Sequence, residues 1–569
     1  MTIGLSVLTL ASAALPVAVA YLGKLIIDAV VEHDSVRTQQ WVGAEFLLIA
    51  LQALILRLLF FLRGLLGARL GLDVNIMILR KALTLELGDF EDSETYDKLS
   101  RARREASSRP VSVVTDFLQM VQNIATLCGY VAVLISFSGW AALGLLAVAL
   151  PSTISEIRFA GAVFRIRNWR SPDTRRLNYV EHVLANDAHA KEMKIYGLGE
   201  TLMQRYVQLG EKFYTEDKAL NSRRTLWAYS LSLLTTAAFY GCYLIMALAA
   251  ARGQLSLGNL TLYVVAFRQG QQAFLFSLTA ISSIYEHNLY MSNLFEYLEL
   301  PVRKGVPPPK STTAGISVKS GFQFENVGFC YPGRETWALR HLNFSIPAGQ
   351  SLALVGHNGA GKSTFIKLVC RLYTPTEGRI LLDGIDLQAW EWSALQRRFG
   401  VVFQDFNRYQ LTFGENIGMG DVSRLEDEAR IRTAAQQGGA DILLETLPEG
   451  LETHLGKWFK KGVELSGGQW QTIALARAFM RDEADVLILD EPTAALDAEA
   501  EHRIFERFRN LTKGRTAILI SHRFPTVRMA DRIVVIEGGC MVEEGTHDQL
   551  IVKKGRYAQM FTLQAEGYM

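Results

Sequence analysis

The stretch G-H-N-G-A-G-K-S-T at 356–364 has the residue types and spacing to hold a chain of phosphates. The apolar run 351–355 before it reads as a buried parallel strand, and Lys362-Ser-Thr-Phe-Ile-Lys-Leu after it opens a helix. That strand–loop–helix order is the setting a phosphate-binding loop requires. Gly356, Asn358, Gly359 and Gly361 shape the turn, whose backbone N–H groups join the helix N-terminus in an anion cradle. Lys362 is expected to reach the β- and γ-phosphates and Ser363 to ligate Mg²⁺, with Thr364 beside it on the nucleotide.

A second apolar run, 486–489, ends in Asp490-Glu491. A carboxylate at the C-terminal end of a strand faces the ligand crevice of an open α/β sheet. Asp490 suits Mg²⁺, held through water, and Glu491 suits the general base that polarises the attacking water. A third run, 517–520, precedes Ser521-His522, which brings His522 to the same sheet edge, within reach of a γ-phosphate. Leu465-Ser466-Gly467-Gly468-Gln469 stands just ahead of the Asp490 strand.

The elements that position these residues occupy only part of the chain. At 569 residues it is too long for one ordinary domain. Apolar residues make up 49%, and mean hydropathy is +0.13, high for a soluble protein and low for one wholly in a membrane. The unevenness resolves this: 1–300 carries the long uncharged runs, 301–320 is a linker around Pro301 and Pro307-Pro-Pro, and 321–569 reads as a soluble α/β domain. A net charge of +2 gives nucleic acid no footing as a partner. The five cysteines, Cys128, Cys242, Cys330, Cys370 and Cys540, show no C-x-x-C spacing, so neither a zinc site nor a disulfide framework is supported.

A span takes about 20 apolar residues. Residues 1–23 carry no charge, with Pro16 expected to kink the helix; 41–63 form a second run, interrupted by Glu45, Arg57 and Arg63. The uncharged 117–155 is too long for one helix and divides at Ser136-Phe-Ser-Gly139. Runs at 225–251 and 258–285 complete six spans. Basic residues between spans 2 and 3, and between spans 4 and 5, place both loops and both termini in the cytoplasm. Residues 64–110 and 160–224 read as helical extensions, turning near Asp89–Asp97 and near Lys191–Leu198. The first span lacks the basic start of a cleaved signal. It begins almost at Met1, which raises the expectation of an upstream segment.

Taken together, these motifs, in this order, resemble the ATP-binding cassette transporters of the six-span exporter type. The resemblance covers nearly the whole chain and implies a helical transmembrane domain followed by an α/β P-loop ATPase. It implies that Tyr331 stacks on adenine. It implies that Gln404 senses Mg²⁺ and couples to the membrane domain. Ser466, Gly467, Gly468 and Gln469 match the signature that closes on the γ-phosphate of ATP held by the opposite subunit. Ala495-Leu-Asp497 matches the D-loop and His522 the switch histidine, while 89–97 and 191–198 resemble the coupling helices in position. Two departures stand out: Trp470-Gln-Thr472 follows the signature where a basic residue is common, and Gly456-Lys-Trp-Phe-Lys-Lys-Gly462 replaces a glutamate-bearing turn. They bear on coupling between domains, not on hydrolysis.

One membrane half and one cassette make half a transporter, so a second half-transporter is expected as partner, a homodimer before a heterodimer. Alternating access driven by two ATPs follows from the resemblance. Glu45, Arg57, Arg268 and Gln272 lie within spans, where polarity is costly and tends to line a cavity, so the sixth span is expected to line the pathway. A mixed apolar and polar path suits amphipathic cargo: a peptide, a drug-like molecule or a lipid. The alternatives are a lipid flippase, an importer of exporter fold, and a non-transporting regulator or channel gate. The expected location is a bacterial inner membrane, with the cassette in the cytoplasm and membrane lipid around the spans.

Overall fold

The uncharged runs become long helices. In the computed structural model the described residues are 2–105, 109–136, 139, 170–301, 320–491, 512, 514–521 and 523–566, with 151, 154, 155, 158, 159, 161–163, 165, 166 and 169 between. α1 (Thr2–Val31) carries the first run past Lys24 and continues unbroken through Pro16. α2 (Ser35–Ala82) contains the second run and starts at Asp34, whose side chain accepts from the Arg37 N–H at 3.0 Å. The region expected to turn near Asp89–Asp97 holds two helices, α3 (Leu87–Glu91) and α4 (Ser93–Glu105), with a break at Asp92 between them. α5 (Arg109–Ile135) takes the third run. α6 (Ser171–Ala185) and α7 (Ala190–Ile195) follow, and Gly197, in the left-handed region, makes the bend into α8 (Leu198–Ala251). α9 (Leu257–Leu298) holds the sixth run.

Four described helices, α1, α2, α5 and α8, are long and apolar enough to cross a membrane. Arg268-Gln-Gly-Gln-Gln272 dilutes the apolarity of α9. Most of the fourth run and half of the turn expected at 136–139 lie outside the described residues, as does nearly all of the linker. The helices pack through Tyr130 and Leu134 of α5, Met246 of α8, and Tyr263, Ala266 and Phe267 of α9. Toward the other end, Tyr297 of α9 is fully buried and its hydroxyl donates to the Ile78 carbonyl at 3.3 Å.

The chain forms two compact units: Met1–Leu85 with Asp92–Pro301, and Glu86–Glu91 with Val302–Met569. The second unit is built on two sheets. One has the order β2-β1-β4-β5, from β1 (Phe322–Cys330), β2 (Trp337–Ile346), β4 (Glu377–Leu382) and β5 (Ile385–Asp386). The other runs β10-β9-β3-β8-β7-β6, from β3 (Ser351–Val355), β6 (Phe399–Val402), β7 (Val486–Asp490), β8 (Thr516–Ile520), β9 (Arg532–Glu537) and β10 (Cys540–Gly545). Its four pairings along β6-β7-β8-β3-β9 are parallel and only β9-β10 is antiparallel. Every residue of β7 and β8 is buried, as expected of parallel strands covered on both faces. Phe324, Phe344, Phe365, Ile488 and Ile520 share the core. This sheet sets the site: β3, β6, β7 and β8 all end at one edge, and the loops there carry the chemistry.

Candidate nucleotide site

The loop after β3 turns at residues 356–361 into α10 (Lys362–Val369). Gly361 sits at φ +106°, and a Cβ there would come within 2.6 Å of both the Ala338 carbonyl oxygen and Leu339 Cδ2, so only glycine fits. Gly356 is pressed just as closely against the Ile536 carbonyl. Lys362 is buried, and its Nζ donates to the Gly356 carbonyl at 2.7 Å and the His357 carbonyl at 3.0 Å. Burial pushes the Lys362 ammonium below its ordinary pKa, while the charges of Glu491 and Asp490 oppose the shift.

A pocket of about 580 Å³ opens over this loop. Asn358, Gly359, Gly361, Lys362, Ser363 and Thr364 line it, together with Tyr331, Gln404 and Glu491. Sequence reasoning thus named nine lining residues that the fold brings together. It missed Arg334 and Thr336, in the turn between β1 and β2, and Trp337 and Ala338, which open β2; together they complete the wall. The Y-P-G-R-E-T-W stretch beginning at Tyr331, a proline–glycine turn between two apolar runs, was the available signal. Tyr331 is fixed by its hydroxyl, 3.0 Å from Thr364 Oγ1, and by edge contacts with Phe329 and Tyr373.

Asp490 is the last residue of β7, paired with Ile520 and only 5% exposed. Burial pushes its carboxyl up to about 6; Glu491 and Asp405 add to the rise and Lys362 opposes it. The next residue, Glu491, has φ +49°, an uncommon conformation for a residue with a side chain. Two bonds hold it there: its N–H donates to the Ile520 carbonyl at 2.9 Å, and Gln471 Nε2 donates to its carbonyl at 3.4 Å. Gln404, beyond β6, donates from Nε2 to Glu491 Oε2 at 3.0 Å. The charges of Glu491 and Asp490 therefore both bear on the Lys362 ammonium at the loop. The donor set of a serine hydroxyl, a glutamine amide and a buried acid with an unfavourable charge fits a hard divalent cation.

Ser466, Gly467, Gly468 and Gln469 do not join this pocket. Ser466 caps α11 (Gly467–Ala478) in a reciprocal box: its hydroxyl accepts from the Gln469 N–H at 3.3 Å and its own N–H donates to Gln469 Oε1 at 2.8 Å. Their backbone N–H groups thus sit at a helix N-terminus, chemistry suited to an anion from elsewhere. Asp497 and His522 lie outside the described residues. In the first unit, Arg57, Arg268 and Gln272 are exposed and Glu45 half-buried. Arg268 and Gln272 lie one turn apart on α9, away from the buried stripe of Ala266, Phe267, Gly270 and Ala273.

Residues 339–494 match the profile described as ABC transporter. The chain is 34% identical over 509 residues to the subtilin transport ATP-binding protein SpaT of Bacillus subtilis, covering 90% of this chain and 82% of that protein. It is 30% identical over 503 residues to the nisin transport ATP-binding protein NisT of Lactococcus lactis, covering 88% and 83%. Among solved structures it resembles a bacterial Atm1-family ABC exporter with ATP bound, at a TM-score of 0.79 and 25% identity, covering 99% of this chain and 98% of the other.

Proposed function

The chain belongs to the ABC transporter family, and we propose that it exports an amphipathic peptide across a bacterial inner membrane as a homodimer. It is an integral membrane protein whose nucleotide hydrolysis drives export, the activity that its relatives and its fold share. The observation that carries the peptide reading is the likeness, over 90% of the chain, to a protein of subtilin transport, subtilin being a peptide. The apolar helices interrupted by Glu45, Arg57, Arg268 and Gln272 suit the same amphipathic cargo.

At the nucleotide, Tyr331 stacks on the adenine and Lys362 holds the β- and γ-phosphates. Ser363, Gln404 and Asp490 would hold Mg²⁺, which when bound would offset the negative charge of the phosphates and of Asp490. Glu491 takes the proton from the attacking water, oriented by Gln404; His522 steadies the γ-phosphate. Ser466, Gly467, Gly468 and Gln469 of one subunit, with Asp497, complete the site of the other. This supplies the reason for a dimer: the signature residues cap a helix away from the pocket of their own chain.

The test uses inside-out vesicles carrying the wild-type chain or Glu491→Gln, given ATP and an extract of the source cells, with contents compared by untargeted mass spectrometry. A peptide accumulating only with wild type is the expected result. A lipid change alone would replace the peptide reading with a flippase. No difference, with active ATPase, would point to import, regulation or an obligate heterodimer.

A further inference from the structure

One residue of the phosphate loop turns its side chain away from the nucleotide pocket. His357 does not line that pocket, although Asn358 and Gly359 beside it do. Its carbonyl accepts from Lys362 Nζ at 3.0 Å and from the Ala360 N–H at 3.1 Å, so its backbone belongs to the frame of the loop. Its imidazole meets Arg556, 199 positions later and the first residue of α12 (Arg556–Glu566). Arg556 Nη2 lies 2.7 Å from His357 Nε2 and 3.0 Å from Glu537 Oε1. A guanidinium only donates, so Nε2 is the acceptor and the ring proton sits on Nδ1.

Arg556 is itself held in place. Its N–H donates to Glu543 Oε1 and the Tyr557 N–H donates to Glu543 Oε2, both at 2.9 Å, and Glu543 is a buried carboxylate on β10. Tyr557 is fully buried, and its hydroxyl lies 2.8 Å from His547 Nδ1. Glu537 ends β9, and the carbonyl just before it, that of Ile536, is the one pressed against Gly356. The sheet edge and the start of α12 thus fix the guanidinium from behind, and the guanidinium fixes His357.

We propose that Arg556 is a positioning residue for the phosphate loop: through His357 it holds the turn that presents Lys362 and the N–H groups after it to the phosphates. The proposal rests on the reading of 356–364 as the phosphate-binding loop. The base takes no part, since neither His357 nor Arg556 lines the pocket with Tyr331. Two consequences separate this role from packing. An anchor that acts through one side chain is lost only once, so removing both partners weakens binding no more than removing either. A neutral acceptor at 357 that reaches Nη2 also serves in place of the imidazole.

The experiment uses the full chain in nanodiscs with EDTA, so that ATP binds without turnover, and measures Kd for ATP and for inorganic tripolyphosphate. Arg556→Met and His357→Ala are each expected to weaken both ligands alike, about three- to tenfold, which is what one hydrogen bond contributes net. The double variant is no weaker than the weaker single one, and His357→Gln, which keeps an acceptor oxygen, recovers most of the loss. An unchanged Kd in either single variant, additive losses in the double variant, or no recovery in His357→Gln overturns the proposal; additive losses with a lower thermal midpoint would mark Arg556 as packing for α12 alone. His357→Ala and His357→Gln, at an exposed loop position, keep the test in force should Arg556→Met not fold. Lys362→Met tests the underlying reading separately: unchanged tripolyphosphate affinity there would take the phosphates away from this loop, and the proposal falls with it.

Discussion

Gln404 and Glu491 stand at the same offset from one register pair of two neighbouring parallel strands, and Gln404 Nε2 donates to Glu491 Oε2 at 3.0 Å. Val402 of β6 pairs with Leu489 of β7, so each residue lies two positions past a register pair. The sheet, not a flexible loop, therefore sets the carboxylate's orientation. If Glu491 is the base, Glu491→Gln lowers kcat at least about a hundredfold and leaves the Kd for ATP little changed. Gln404→Ala, which removes this hydrogen bond and keeps the carboxylate, gives a smaller fall in kcat. Single-turnover hydrolysis and equilibrium binding on the full chain measure both; rapid turnover by Glu491→Gln would remove the residue from the chemistry.

Asp490 carries an electrostatic cost of burial. Its carboxyl, raised to about 6 by burial, binds a proton more tightly in the folded chain than in the unfolded one, where the value is about 4. Between those values the native state holds more protons, so stability falls as pH rises and the loss is complete above about pH 6. The cost is at most about 3 kcal/mol, two pKa units at 1.36 kcal/mol each. Asp490→Asn removes the charge. In the absence of nucleotide it should raise the thermal midpoint of the detergent-solubilised chain at pH 8, with the difference closing below about pH 4, while hydrolysis is lost. A lower midpoint for the variant at pH 8 would show that the acid is stabilised by partners rather than strained by burial.

The strands beneath the site were legible because β3, β7 and β8 are short apolar runs buried on both faces, a pattern little else produces. The phosphate loop was legible because its glycines answer local demands, such as the φ of +106° at Gly361. Ser466 and Gln469 were named for a nucleotide and serve also as a helix cap, a double use that the S-x-x-Q spacing already permits. The insertion of Glu86–Glu91 into the second unit was not legible in the same way: it depends on Lys367 and Tyr373, nearly 300 positions away, and no local period records such a contact. Nor does composition reveal that the charge of Asp405 adds to the rise in the Asp490 pKa. Helix ends were missed for a related reason. Uncharged runs mark what is buried in apolar surroundings, whereas α1 continues past Lys24 because nothing there breaks a helix.

Gly361 gives a prediction about shape alone. Its φ of +106° and the 2.6 Å approach to Ala338 and Leu339 leave no room for a methyl group. Gly361→Ala forces the turn before Lys362 to move, at a cost of about 1–3 kcal/mol, and displaces the N–H groups that face the phosphates. Binding of ATP to the full chain is expected to fall more than tenfold with the membrane helices unaffected, as circular dichroism and equilibrium binding would show. Unimpaired binding would mean that the loop relaxes freely, against the packing described.

Arg398 carries the last prediction, which concerns the frame rather than the nucleotide. Its guanidinium donates to Asp485 through Nε at 2.9 Å and Nη2 at 2.6 Å, and to Asp383 through Nη1 at 2.6 Å. Asp383, with a side chain only 2% exposed, also accepts from the Ser320 and Gly321 N–H groups at 2.8 and 2.9 Å, tying the start of β1 to the residue ahead of β7. Arg398→Met leaves two carboxylates in poor solvent contact without their cation, a loss of about 3–5 kcal/mol. Arg398→Lys recovers little, because an ammonium cannot serve the forked pair and a third oxygen together. Arg398→Met combined with Asp485→Leu removes one stranded charge and should regain part of the loss, a coupling that a double-mutant cycle on thermal midpoints measures directly. Additive effects of the two substitutions would show that the bidentate pair contributes nothing beyond packing.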